Sequence, residues 1–115
     1  MPPNLLPSDP LSQVVFVHDY IQLVFQDTSF SLYNTTRLTI GKSSVLQGQA
    51  GFADALVALI GLRVASVSTQ ADLALALLFE NGVKLQVLRG KPYAQGPEAF
   101  QFIAPGSPIV VEANE

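Results

Sequence analysis

The sequence predicts a mainly β protein, an antiparallel sheet forming a small sandwich or open barrel with one short helix near residues 52–60. Three observations carry that expectation. Short runs rich in Val, Ile, Leu and Phe recur along the 115 residues, punctuated by Gly, Pro, Asn and Asp. The apolar period lengthens to that of a helix only once, in GFADALVALIG. A third stretch, DLALALLFENGVKLQVLR, closes into a hairpin with one consistent apolar face.

Residues 1–12 are proline-rich and read as an extended arm; residues 13–115 read as a single β-rich domain. The segment Gln13 to Phe25 is strand-like but interrupted by His18-Asp19-Tyr20, and Ser29 to Tyr33 and Thr36 to Ile40 alternate apolar and polar residues. KSSVLQGQAG, 42–51, reads as a loop. In the helix, Phe52, Leu56, Leu59 and Ile60 share one face, Asp54 suits the positive end of the helix dipole, and Gly61 provides a left-handed C-terminal cap. RVASVS is a strand. In the hairpin that follows, a two-residue Asn81-Gly82 turn would set the large leucines opposite Lys84 and Leu85 on conflicting faces. A three-residue Glu80-Asn81-Gly82 loop pairs Phe79 with Val83, Leu77 with Leu85 and Leu75 with Val87, so burial favours it, with Gly82 left-handed. Leu78 then lies on the polar face as a candidate subunit contact. KPYAQGP is a loop, EAFQFIA a strand, APGSP a turn and IVVEA a last strand.

An internal echo runs through these elements. VVFVHDYIQLVFQDTSFSLY resembles VASVSTQADLALALLFENGVKLQV, with Phe25 matching Phe79 and Val17 matching Val67. The echo sets His18-Asp19-Tyr20 against a polar connection, so HDY reads as a turn between Val14–Val17 and Ile21–Phe25.

Charge narrows the function classes. Only 13% of residues are charged, against roughly 25% in soluble domains. Six basic and nine acidic residues cover little surface, which points to apolar area hidden by a second subunit, a homodimer. Arg37, Lys42, Arg63, Lys84, Arg89 and Lys91 are scattered, with no basic stripe for nucleic acid or a membrane surface. There is no cysteine, and so no disulfide, thiolate nucleophile or iron–sulfur cluster. The N-terminal residues lack the pattern of a signal peptide and no apolar run has the length of a membrane span, so a cytoplasmic location is the expectation. Asn34-Thr35-Thr36 matches the glycosylation sequon by chance in that compartment.

The candidate ligand-binding residues are His18, Asp19, Tyr20 and Tyr93. A histidine beside an acid and a phenol has the makings of chemistry, and tyrosines combine an apolar body with a hydroxyl. A metal site would need further histidines, and this chain has one. No GxSxG elbow and no phosphate-binding glycine motif is present. No catalytic residue, metal or cofactor is therefore assigned.

FVHDYIQLVF, DALVALIGLRVASV, LLFENGVKLQV and GPEAFQF with IVVEA together resemble a family of small uncharacterised bacterial proteins, over nearly the whole chain after residue 13. The resemblance implies a β-rich cytoplasmic domain and supplies no activity, cofactor or catalytic residue. Where that family reads DALCALIGQRV, Val57 stands in place of the Cys and Leu62 in place of the Gln. The expectation is a non-enzymatic protein-interaction or accessory domain, immunity-like in kind. The alternative is a small-ligand-binding protein or minor enzyme with a cleft near His18, Tyr20 and Tyr93; the sequence leaves enzymatic activity open and leans against it.

Overall fold

The computed structural model describes residues 5–70 and 72–114. Ten strands follow in order: β1 Gln13–Val17, β2 Tyr20–Phe25, β3 Thr28–Leu32, β4 Thr36–Ile40, β5 Ser43–Leu46, then helix α1 Phe52–Val57, β6 Val64–Ser68, β7 Leu73–Phe79, β8 Lys84–Leu88, β9 Glu98–Ile103 and β10 Val110–Ala113. They form two five-stranded antiparallel sheets, ordered β1-β2-β3-β9-β10 and β5-β4-β8-β7-β6. The sheets do not close into a barrel. Their inner faces share one core, so the architecture is a sandwich.

Period-two alternation explains which residues meet in that core. Ile21, Leu23 and Phe25 of β2, Phe30 and Leu32 of β3, and Leu75, Leu77 and Phe79 of β7 are all buried. Phe30 lies at the centre of an aromatic cluster, its ring 4.7 Å from Phe102, 6.2 Å from Phe25 and 6.3 Å from Phe100. The β7–β8 hairpin has the three-residue loop: Leu75 pairs with Val87 and Leu77 with Leu85, and the Phe79 N–H donates to the Val83 carbonyl. Gly82 is left-handed at φ 91°.

The strand order contains a pseudo-two-fold. Each half of the chain is a three-strand meander followed by a two-strand hairpin, β1-β2-β3 with β4-β5 and β6-β7-β8 with β9-β10. Each hairpin pairs with the meander of the other half, β9 on β3 and β4 on β8. The echo in the sequence is the trace of this arrangement. Its anchor holds, since Phe25 and Phe79 end β2 and β7. Its second match slips by three residues. Val14 lies opposite Leu23 and Val67 opposite Leu77, so Val14, not Val17, is the counterpart of Val67. The slip arises because β1 keeps pairing for three residues past Val14, as far as Val17 with Tyr20, whereas β6 makes its last pair one residue past Val67, Ser68 with Ala76.

Four expectations are corrected. KSSVLQGQAG is not all loop, because Ser43–Leu46 forms β5, paired with β4. Its serines carry little strand propensity, and the ladder holds it. Tyr20 belongs to β2, not to the turn. The helix ends at Val57, and Ile60 is 43% exposed instead of sharing the buried face. Past Val57 the bonds become i→i+3 (Leu59 to Leu56, Ile60 to Val57), which turns the chain about 120° per residue and rotates Ile60 outward. Of the expected arm, residues 1–4 lie outside the described residues, and 5–12 are not merely an extended arm. Leu11 is fully within the core, and its backbone bonds to Leu62 and Gly61.

Candidate functional site

His18 and Asp19 form the two-residue turn between β1 and β2, where Val17 pairs with Tyr20. Both are exposed, and neither side chain has a hydrogen-bond or ion-pair partner among the described residues. Tyr20 is half-buried, its ring 5.5 Å from Tyr33 and tilted by 54°. The Tyr33 hydroxyl donates to Gln101 Oε1 at 2.9 Å. Tyr93 lies in the loop before β9, where its carbonyl accepts from the Thr35 N–H at 3.0 Å. The structure thus brings Tyr20 together with Tyr33, and through the Tyr33 hydroxyl with Gln101. The signal for them is the register: only pairing places β3 between β2 and β9.

None of the three clefts described next is lined by His18, Asp19, Tyr20 or Tyr93. The largest of the three, about 670 Å³, opens between the edge strands β6 and β10, with Val67, Phe100, Val110 and Glu112 on its walls and Leu5 and Leu6 across it. A smaller cup of about 290 Å³ lies on the outer face of the second sheet, with Ser66, Ser68, Lys84 and Gln86 around it. The Gln86 Oε1 accepts from Arg37 Nε at 2.8 Å and Thr39 Oγ1 at 3.0 Å. A small hollow of about 170 Å³ separates β5 from α1.

The other notable surface is the outer face of the first sheet. One row runs across all five strands as Val15, Gln22, Ser31, Gln101 and Val111; another runs as Gln13, Val24, Ser29 and Ile103; Val17 pairs with Tyr20 in a third. No position in these rows carries a charge. Val17, Ile103 and Val111 are exposed, as is Ile109 just before β10.

Among the described residues every buried side-chain nitrogen and oxygen has a hydrogen-bond partner. Asn34, 1% exposed, sits where the chain crosses from β3 to β4. Its Nδ2 donates to the Leu88 carbonyl at 3.0 Å and to Asn114 Oδ1 at 2.6 Å, and its Oδ1 accepts from Asn114 Nδ2 at 3.1 Å. That burial takes the sequon asparagine out of reach. Among the described residues Arg89–Glu112, at 2.8 Å, is the ion pair, and no three His, Asp or Glu side chains gather as a metal site would need. No helix among them is long and apolar enough to cross a membrane. No family model, curated protein or solved structure matches the chain.

Proposed function

We propose that this chain is a non-enzymatic interaction domain that pairs with a second copy of itself through the outer face of its first sheet. The observation that carries the reading is the run of uncharged positions across five strands, from Val15 on β1 to Val111 on β10. In a two-fold interface, residues near the axis meet their own copies, so a charge there repels itself. A face built from Val, Ile, Tyr, Ser and Gln can be laid on itself without that penalty. Strand spacings of about 4.8 Å and a rise of about 3.3 Å per residue give a footprint of roughly 400 Å² per copy. That lies at the low end for specific interfaces and points to a micromolar dimer rather than a permanent one.

Light scattering across a concentration series tests this. The mass should rise from one chain towards two between about 1 and 200 µM, the range a micromolar constant requires. Gln22→Lys, in the middle row of the face, should hold the mass at one chain with unchanged thermal stability. A one-chain mass throughout, or a dimer that survives Gln22→Lys, would refute the reading.

A further inference from the structure

The pseudo-two-fold makes α1 an outlier, and its surroundings say what the cleft between β6 and β10 is shaped to hold. In the first half, α1 follows β5 and covers the opening between the edge strands β5 and β1. Its Phe52 and Leu56, with Leu59 just beyond, are buried, and Gly61 and Leu62 bond to Leu11 just ahead of β1. Val14 of β1 and Val45 of β5 are both half-buried against the core on these two edge strands, and Val45 lines the hollow beside Gly51 and Ala55. The register maps Val14 onto Val67. It likewise maps Val45, which lies opposite Leu38, onto Val110, opposite Phe102. Val67 and Val110 are also half-buried against the core, and both line the cleft of about 670 Å³. The cleft is therefore the second seat of the pair. Among the described residues no helix stands to it as α1 stands to the first; only Leu5 and Leu6 reach across it.

We propose that this cleft binds a short amphipathic helix of a partner protein, with large apolar side chains at i, i+4 and i+7 and a cation at its flank. The spacing comes from α1 and the turn that continues it, where Phe52, Leu56 and Leu59 are buried. The volume lies within the roughly 300–1,000 Å³ of ordinary ligand sites. The cation comes from charge complementarity. Glu112 is the charged residue on the lining, and its side chain is 41% exposed despite its pairing with Arg89. A lysine on the guest is attracted there and a carboxylate is repelled. The surface is separate from the outer face of the first sheet, so the two proposals stand or fall independently.

The probe is a fluorophore-labelled peptide copying residues 51–62, GFADALVALIGL, extended by two lysines, and a second extended by two glutamates. They are titrated with the Gln22→Lys protein, so that self-association does not enter. Anisotropy should report saturable binding of the lysine peptide, at least threefold tighter than the glutamate peptide. Glu112→Gln should erase that difference. Ala65→Trp, which fills the cleft from an exposed position, should weaken binding tenfold or more while the melting temperature holds. Amide chemical-shift changes should centre on Val67, Ser68 and Val110. No saturable binding, equal binding of a scrambled peptide, or shifts centred on Leu38 and Val45 (the peptide displacing α1) would overturn the proposal.

Discussion

Replacing Asn34 with alanine tests how the two sheets are joined at their crossover. Asn34 follows β3 in the first sheet, bonds to the carbonyl of Leu88 at the end of β8 in the second, and forms a double amide bond with Asn114 beyond β10. The substitution removes three hydrogen bonds. Two face a half-buried partner that water can reach, and each contributes about 1 kcal/mol or less. The third leaves the Leu88 carbonyl without this donor inside the protein, which costs about 1–2 kcal/mol. The expected loss is about 3 kcal/mol. With an unfolding entropy of about 2.1 cal/mol/K per residue over 115 residues, the melting temperature should fall by about 12 °C. Asn114→Ala removes the same two amide bonds and a third, from its Nδ2 to the Gly96 carbonyl at 2.7 Å; at about 1 kcal/mol or less each it should cost about 8–12 °C by the same conversion. The double variant should lose less than the sum, because both changes delete the same amide pair. Asn34→Asp provides a control for geometry. Burial disfavours the introduced carboxylate and raises its folded pKa above the unfolded value. The penalty is therefore full at pH 7 and shrinks as the pH falls towards 4. Calorimetry measures all four proteins. An Asn34→Ala shift within 2 °C would show that the crossover is held by packing alone.

Three other substitutions separate packing from backbone conformation and from surface chemistry. Leu56→Ala, at a fully buried position of α1, should cost about 3 kcal/mol and about 12 °C in a thermal melt, since cavity formation adds to lost burial. Gly82→Ala meets no atom within 4 Å, so its cost, about 1–2 kcal/mol in urea unfolding, comes from φ 91° alone. A neutral result would mean that the loop does not need a left-handed residue there. His18→Ala, in an exposed turn without side-chain partners, should change stability by less than about 0.5 kcal/mol. A larger loss would reveal a contact that the turn geometry does not contain.

Alternation and turn chemistry made most strands legible, because both are local. The hairpin register around Gly82 could be solved on paper, since only one loop length put Leu75, Leu77, Leu85 and Val87 on one face. β5 escaped because Ser43 and Ser44 carry no apolar alternation and depend on the ladder with β4. Ile60 was misplaced because helical spacing was carried past Val57, where the turn tightens. The partition into two sheets was not legible. Period two says which face a residue takes and not which strand lies beside it. The candidate site suffered from the same limit. His18, Asp19, Tyr20 and Tyr93 were chosen by residue type, but Tyr20 lies against Tyr33, whose hydroxyl reaches Gln101 of β9, a strand distant in sequence. Low charge was plain from composition, but its concentration on one sheet face needed the register of five strands.

The exchange of hairpins between halves has a consequence that can be measured with two fragments. Neither half contains a complete sheet, since β3 needs β9 and β8 needs β4. A fragment of residues 1–48 keeps β1 to β5 but loses the Phe100 and Phe102 side of the aromatic cluster. A fragment of residues 49–115 keeps α1 but loses Leu38 of β4 opposite Leu85. The cut lies in the exposed turn between β5 and α1, so it breaks no ladder. Each fragment alone should lack a cooperative melt by circular dichroism. An equimolar mixture should recover strand signal beyond the sum and melt as one unit. Self-pairing of residues 1–48 is the competing outcome that the pseudo-two-fold permits, but it would set Leu38 where Phe102 now contacts Phe30 at 4.7 Å, and so lose an aromatic contact. The mixed complex should therefore win at equal concentration. A cooperative melt from residues 49–115 alone would show that the second half carries its own core, and that the exchanged hairpins do not hold the sandwich together.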